Sequence, residues 1–187
     1  WGVISHLNAV KNSESLRVIY SKFLPEIINL GNKFGQSEII YNALVKLKKT
    51  NNFDRIKNRI LDKEILEMEH RGISLKKDDQ KVFNTISEKL GKLSTNFSNN
   101  ILDATNSWYL ILHKKSQVDG LPERVLELMS ISAHEHLKKS GEVDYKNGPW
   151  KLSLDVPTYS AFMTYANDRS LRENLYKSFV SRASKGE

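Results

Sequence analysis

The sequence predicts a mainly α-helical chain, a multi-helix region carrying two short β-strands at about 107–113 and 150–155. Three observations lead there. Apolar residues recur at three- and four-residue steps through most of the chain, the period of one helical face. Capping residues and glycines bracket those periodic segments. Only around Trp108 and Trp150 does the pattern shorten to aromatic and branched runs or strict alternation.

Asn12 and Ser13 are good capping residues leading into Glu14 to Phe23, and Pro25 interrupts that pattern, giving two helical pieces or one kinked helix. After Gly35, the segment Glu38 to Lys48 places Ile40, Leu44 and Leu47 on one face. Asn52 is a candidate cap for a helix from Phe53 to about Arg71, with Phe53, Ile56, Ile60, Leu61, Ile65 and Met68 inward and Gly72 ending it in the left-handed conformation. The strongest periodicity is Val82, Ile86, Leu90, Leu93, Phe97, Ile101, a single stripe along a helix of about six turns. Such a stripe is expected to face a core, and Asp78 and Asp79 suit the positive end of its dipole. The Asp103-Ala104-Thr105 stretch is expected to end that helix and steer into a buried strand, Trp108 to Leu112.

Gly120-Leu121-Pro122 reads as a turn delivering proline to the first position of a helix that runs to about Lys138 and ends near Gly141. Trp150, Leu152 and Leu154 alternate with polar residues as a half-buried strand does. Pro157 opens a short helix through Tyr159, Phe162 and Met163. Ser170-Leu171-Arg172-Glu173 has the form of a capping box for a last helix that turns Leu171, Leu175 and Phe179 inward. Residues 1–187 read as one helical region, with a helical bundle over 1–105 and a mixed segment over 106–187 as its subdivision.

Composition removes several classes of function. The chain has 187 residues, 39% apolar and 27% charged, and a mean hydropathy of −0.50, the balance of a globular protein. No apolar run approaches the roughly 18 residues of a membrane span, so no membrane role is expected. The absence of cysteine excludes disulfides, a thiol nucleophile and Cys-based metal sites, and fits the cytosol or an organelle interior. The opening Trp1-Gly2-Val3 lacks an initiator Met and a leader pattern, so the chain reads as a piece of something longer. A net charge of +7 raises nucleic acid as a partner, but residues 1–75 carry +4 and residues 76–187 carry +3, a diffuse surplus. Lys48-Lys49 and Lys138-Lys139 fall where helix C-termini favour cations. No basic stripe with interleaved aromatics appears, so no nucleic-acid partner is expected.

The search for chemistry inside the chain is largely negative. His134 and His136 are two residues apart, which on a helix points them about 200° from each other, and a zinc helix motif would need histidine where Lys138 stands. His6, His70 and His113 are isolated. There is no Gly-x-Ser-x-Gly elbow and no phosphate-binding glycine loop. The neighbouring carboxylates Asp78-Asp79 and Glu67-Glu69 read as solvated helix surface. The residues alone give a helical domain with no catalytic residue and no metal ligand.

An ordered series of short motifs nevertheless resembles a known family. Trp1 with His6-Leu7, Gly35-Gln36, Gly72-Ile73-Ser74-Leu75, Leu90-x-x-Leu93-x-x-x-Phe97, Asn100 to Thr105 and Gly120-Leu121-Pro122 look like successive landmarks of the thimet oligopeptidase and oligopeptidase A zinc peptidases. Leu152 to Tyr159, Met163 with Ala166, and Arg169 to Glu173 through Tyr176 to Arg182-Ala183-Ser184 continue the series. Leu102-Asp103-Ala104-Thr105 and Arg182-Ala183-Ser184 favour the oligopeptidase A branch. The resemblance implies the N-terminal part of a neurolysin-like metallopeptidase fold, in which two lobes enclose a channel for short peptides. It also implies a zinc bound by a His-Glu-x-x-His helix and a later Glu, with the motif glutamate activating the zinc-bound water. None of those positions occurs here, so zinc is expected in the full-length parent and none on this chain.

The expected role is a noncatalytic wall of the substrate channel, and the expected partner is the C-terminal catalytic portion of the same polypeptide. Tyr159, Tyr165, Arg169 and Arg172 are the candidates for facing the channel, since a guanidinium can grip a peptide carboxylate. The competing reading is that these side chains bridge packed helices. For the whole chain, the alternative is a free-standing helical interaction module without catalysis. Helices that pack on segments outside the chain are expected to leave apolar patches exposed.

Overall fold

The computed structural model describes residues 1–50, 52–138, 141 and 143–184; among them the chain forms eight α-helices, a 3₁₀ turn and a two-stranded antiparallel sheet. The order is α1 (Gly2–Val10), α2 (Glu14–Gly35), α3 (Glu38–Thr50), α4 (Arg55–His70), α5 (Lys77–Ser107), β1 (Tyr109–Leu112), the 3₁₀ turn Lys115–Gln117, α6 (Glu123–His136), β2 (Trp150–Ser153), α7 (Val156–Tyr165) and α8 (Arg169–Val180). The chain divides into two compact units, Trp1–Asn96 and Phe97–Glu187. No helix among the described residues is long and apolar enough to cross a membrane.

In the first unit, Ser13 caps α2 by accepting the Leu16 N–H. The helix runs through Pro25 as one element of 22 residues. Pro25 removes only its own bond to the carbonyl one turn back, and half-buried Leu24, Ile27 and Ile28 hold the helix through the gap. α1 is a helix not expected from the sequence; Trp1 before it stacks on Tyr20 of α2 with ring centroids 4.6 Å apart. α4 is capped by Asp54, which accepts the Lys57 N–H at 2.9 Å, and not by Asn52. Gly72 follows it at φ +83, the left-handed conformation expected of it. Leu61 and Met68 are buried on α4, whereas Ile56 and Ile60, expected inward, are exposed.

Polar hooks tie this unit together. The Gln36 side chain donates to the Arg71 carbonyl at 2.9 Å and to Asn84 Oδ1 at 2.8 Å, while buried Gln80 donates to the Gly72 carbonyl at 3.0 Å. Arg71 lies over Gly35, where a Cβ would strike its side chain. Gly91 on α5 leaves a notch for Ile28 of α2.

The largest departure concerns α5. It reaches Ser107, two residues past Thr105, instead of ending at Asp103-Ala104-Thr105. Of the stripe expected to face a core, Val82, Ile86, Leu90, Leu93 and Phe97 are 52–59% exposed, and Ile101 alone is half-buried. The inward face is the opposite one, made of Gln80, Phe83, Asn84, Ser87 and Gly91. Periodicity fixes which residues share a face; small and hydrogen-bonding residues decided which face α2 takes.

In the second unit, β1 and β2 pair in the register Tyr109 with Ser153 through Leu112 with Trp150. The alternation expected of β2 holds, since Trp150, Leu152 and Leu154 are fully buried. β1 buries Leu112, half-buries Leu110 and Ile111 and leaves Tyr109 exposed, so the strand is less deeply buried than expected. α6, α7 and α8 close the core with Met129, Phe162 and Leu175. The Trp150 indole N–H donates to the Tyr145 carbonyl at 2.8 Å, which satisfies its only polar atom. Gly148, at φ +83, lies against the Trp150 ring where a Cβ would not fit.

Pro122 stands at the N-cap of α6, one position before the first helical residue expected for it. α6 ends at His136, so Lys138 lies past its last turn at φ +51, and Lys139 falls outside the described residues. In this chain, Phe162→Ala is expected to cost about 3–5 kcal/mol, whereas Ile39→Ala on an exposed position is expected to stay within about 0.5 kcal/mol. Urea unfolding followed by far-UV circular dichroism reads both.

Candidate functional site

α7 and α8 carry the four residues singled out as channel candidates, and aspartates set where both helices begin. Asp155 caps α7 by accepting the Thr158 N–H at 3.0 Å, and Asp168 caps α8 by accepting the Leu171 N–H at 2.9 Å. The capping box expected at Ser170 and Glu173 is therefore absent, because Asp168 starts the helix earlier; Glu173 instead pairs with Lys177 at 2.5 Å. Between the helices, Asn167 is held to the loop before α6: its N–H donates to the Asp119 carbonyl at 2.9 Å and its amide to the Asp119 carboxylate at 2.8 Å. Gly120, at φ +89, allows the close approach of the Tyr165 carbonyl.

The four candidates do not converge. Tyr159 is half-buried and stacks on Phe179 of α8, with centroids 3.8 Å apart and planes 17° from parallel. Arg172 is half-buried and donates to the Ala166 carbonyl at the end of α7. Both spend their functional groups on joining α7 to α8. Tyr165 and Arg169 are exposed, and the Arg169 charge lies near enough to Glu173 to add to the Lys177 hydrogen bond in lowering its pKa.

Arg182 completes this corner and was not among the candidates. Its guanidinium lies over the Phe179 ring at 3.6 Å, its Nε donates to the Phe179 carbonyl at 2.9 Å and its Nη1 donates to Thr105 at 3.1 Å. The i, i+3 spacing of Phe179 and Arg182 on a predicted helix was the available signal. Beside it a cleft of 440 Å³ is lined by Asp103, Ser107, Trp108, Ser178 and Arg182 among others. Asn100, Ala104, Leu154, Ser181 and Ala183 complete the lining, a mixture of hydroxyl, amide, carboxylate and aromatic surface.

Metal binding finds no support in the geometry. His136 packs its ring on Tyr109 at 4.2 Å, while His134, two residues back on α6, has its Nδ1 buried without a partner. Among the described residues no three His, Asp or Glu side chains come together to hold an ion. Zinc therefore does not fit any grouping among the described residues. The Glu67-Glu69 carboxylates serve the surface: Glu69 accepts from the Tyr41 hydroxyl at 2.8 Å, and that hydrogen bond holds the Tyr41 pKa above its ordinary value.

Comparison with known proteins gives this region a context. Residues 1–81 match the sequence model described as the neurolysin/thimet oligopeptidase N-terminal domain. Over its whole length the chain is 36% identical to the probable cytosolic oligopeptidase A of Arabidopsis thaliana, covering 27% of that protein. It is 35% identical to the organellar, chloroplastic/mitochondrial oligopeptidase A of the same plant, covering 24% of it. Over 98% of the chain it is 33% identical to oligopeptidase A of Haemophilus influenzae, covering 26%. The chain thus spans about a quarter of the length of the curated relatives it matches.

Asp155 supplies a test of how the α7 start is held. Partial burial acts to raise its carboxyl, but hydrogen bonds from the Ser153 hydroxyl and from Thr158 outweigh it, and the pKa lies below the ordinary value. A depressed folded-state pKa contributes stability above the unfolded value of about 3.9, and that contribution is lost as the pH falls through the folded value. We expect Asp155→Ala to cost about 1 kcal/mol at neutral pH. Asp155→Asn keeps a capping oxygen, and its deficit against wild type is expected to vanish as the pH drops below 4 through the folded pKa, measured by urea unfolding at stepped pH.

Proposed function

From a chain that belongs to the neurolysin/thimet oligopeptidase family, we propose that it is the noncatalytic N-terminal helical part of a zinc-dependent oligopeptidase, walling part of the channel in which short peptides are hydrolysed. The observation that carries this reading is similarity to oligopeptidase A across the full chain, through both compact units. The zinc and its ligands then lie in the C-terminal catalytic portion of the same polypeptide, where the metal polarises the peptide carbonyl and activates water. No residue here is given a step in that chemistry, since no histidine or carboxylate group in the described residues fits the ion. The working compartment is the cytosol or an organelle interior, as the names of the plant relatives state for those proteins.

What this chain supplies under that reading is shape and selected surface. A wall of packed helices narrows access, so an extended peptide enters and a folded domain does not. On it, exposed Tyr165 and Arg169 offer a hydroxyl and a guanidinium to a peptide backbone or carboxylate. Tyr159 and Arg172 act at one remove, as positioning residues that fix α7 against α8.

The full-length protein is expected to cleave quenched short peptides, to stop when zinc is chelated, and to leave a folded protein intact; absence of chelator-sensitive cleavage would overturn the reading. Tyr165→Ala and Arg169→Ala are expected to raise KM by about threefold to tenfold with kcat within about twofold. Tyr159→Ala and Arg172→Ala are expected to lower the melting temperature. An unchanged KM in the first pair would remove those two residues from the channel wall.

A further inference from the structure

The outward stripe of α5 is left uncovered by the described residues. Val82, Ile86, Leu90 and Leu93 stand on the α5 face opposite the one packed in the first unit, each more than half exposed, and Phe97 continues the line. From Val82 to Phe97 it runs about 23 Å at 1.5 Å per residue. Apolar residues scattered singly over a surface need no explanation, whereas a continuous helical seam marks an interface. Glu38–Lys77 and Asp78–Lys81 ion pairs occupy the start of the helix but leave the seam open.

Resting on the reading above, we infer that this seam docks a helix of the same polypeptide that lies beyond residue 187. The length of the relatives argues for that occupant, since about three quarters of each lies outside the region this chain matches. Charge argues against a second copy. The chain as a whole carries +7, so self-association brings like charges together. The occupant is therefore amphipathic, with its apolar side toward Leu90 and Leu93.

Photocrosslinking tests this in the full-length protein, with a benzophenone amino acid replacing Val82 in one variant and Leu90 in another, and adducts mapped by mass spectrometry. Adducts within one molecule to peptides beyond residue 187, in a yield independent of protein concentration, are expected. Adducts between two copies, adducts confined to residues 1–187, or no adduct would each overturn the inference. A double variant, Leu90→Lys with Leu93→Lys, gives a second measurement: a melting temperature lowered by several degrees is expected, and an unchanged one counts against a covered seam. If the adducts form but the protein cleaves no peptide, the docking surface stands and the peptidase reading falls. Cleavage without adducts removes the docking surface alone.

Discussion

Burial of one face of β2 is the constraint on which the second unit depends. Trp150, Leu152 and Leu154 are taken wholly out of water, and a strand presents such a face only while its backbone is paired along β1 in a fixed register. A slip of one residue would turn Lys151 and Ser153 into the core and the tryptophan out of it. With the register fixed, α6 packs across the sheet, Phe162 and Leu175 lock α7 and α8 onto the same core, and the corner holding Tyr159, Phe179 and Arg182 inherits its geometry.

The first unit is organised on another principle. Its buried apolar residues are few, Leu61, Met68 and Ile73, and its helices are registered by amide and guanidinium hydrogen bonds and by glycines that admit a neighbouring side chain. Such hydrogen bonds are worth about 1 kcal/mol each, less than a buried large side chain contributes. They specify which surfaces meet more than they drive the meeting. A unit built this way keeps much of its apolar surface outward, on α2 and α3 as well as on α5.

Much of this was legible in the sequence, and the failures have physical causes. The existence of seven of the eight helices, the two strands and the inward face of β2 follow from period and alternation, and the motifs from Trp1 to Ser184 pointed to the family. Cap positions were missed where two candidates stood close together: Asp54 prevailed over Asn52, and Asp168 over Ser170, each carboxylate accepting the N–H three residues on at 2.9 Å. The orientation of α5 was not legible, because a hydrophobic stripe names a face without naming its partner, and Gly91, Asn84 and Gln80 made the polar face the tighter fit. Of the four candidate residues, Tyr159 and Arg172 take part in α7–α8 packing, while Tyr165 and Arg169 are exposed. Side-chain spacing along one helix carries no information about which tyrosine finds a ring to stack on.

The notch at Gly91 has a mechanical consequence. The Cδ1 of Ile28 reaches where a β-carbon at position 91 would stand, so sliding α5 one turn along α2 brings Ser87 or Thr95, each with a β-carbon, under the isoleucine and makes that side chain turn aside. A displacement of about 5.4 Å along the axis therefore costs a side-chain rearrangement in either direction. The pair behaves as a light detent on axial alignment.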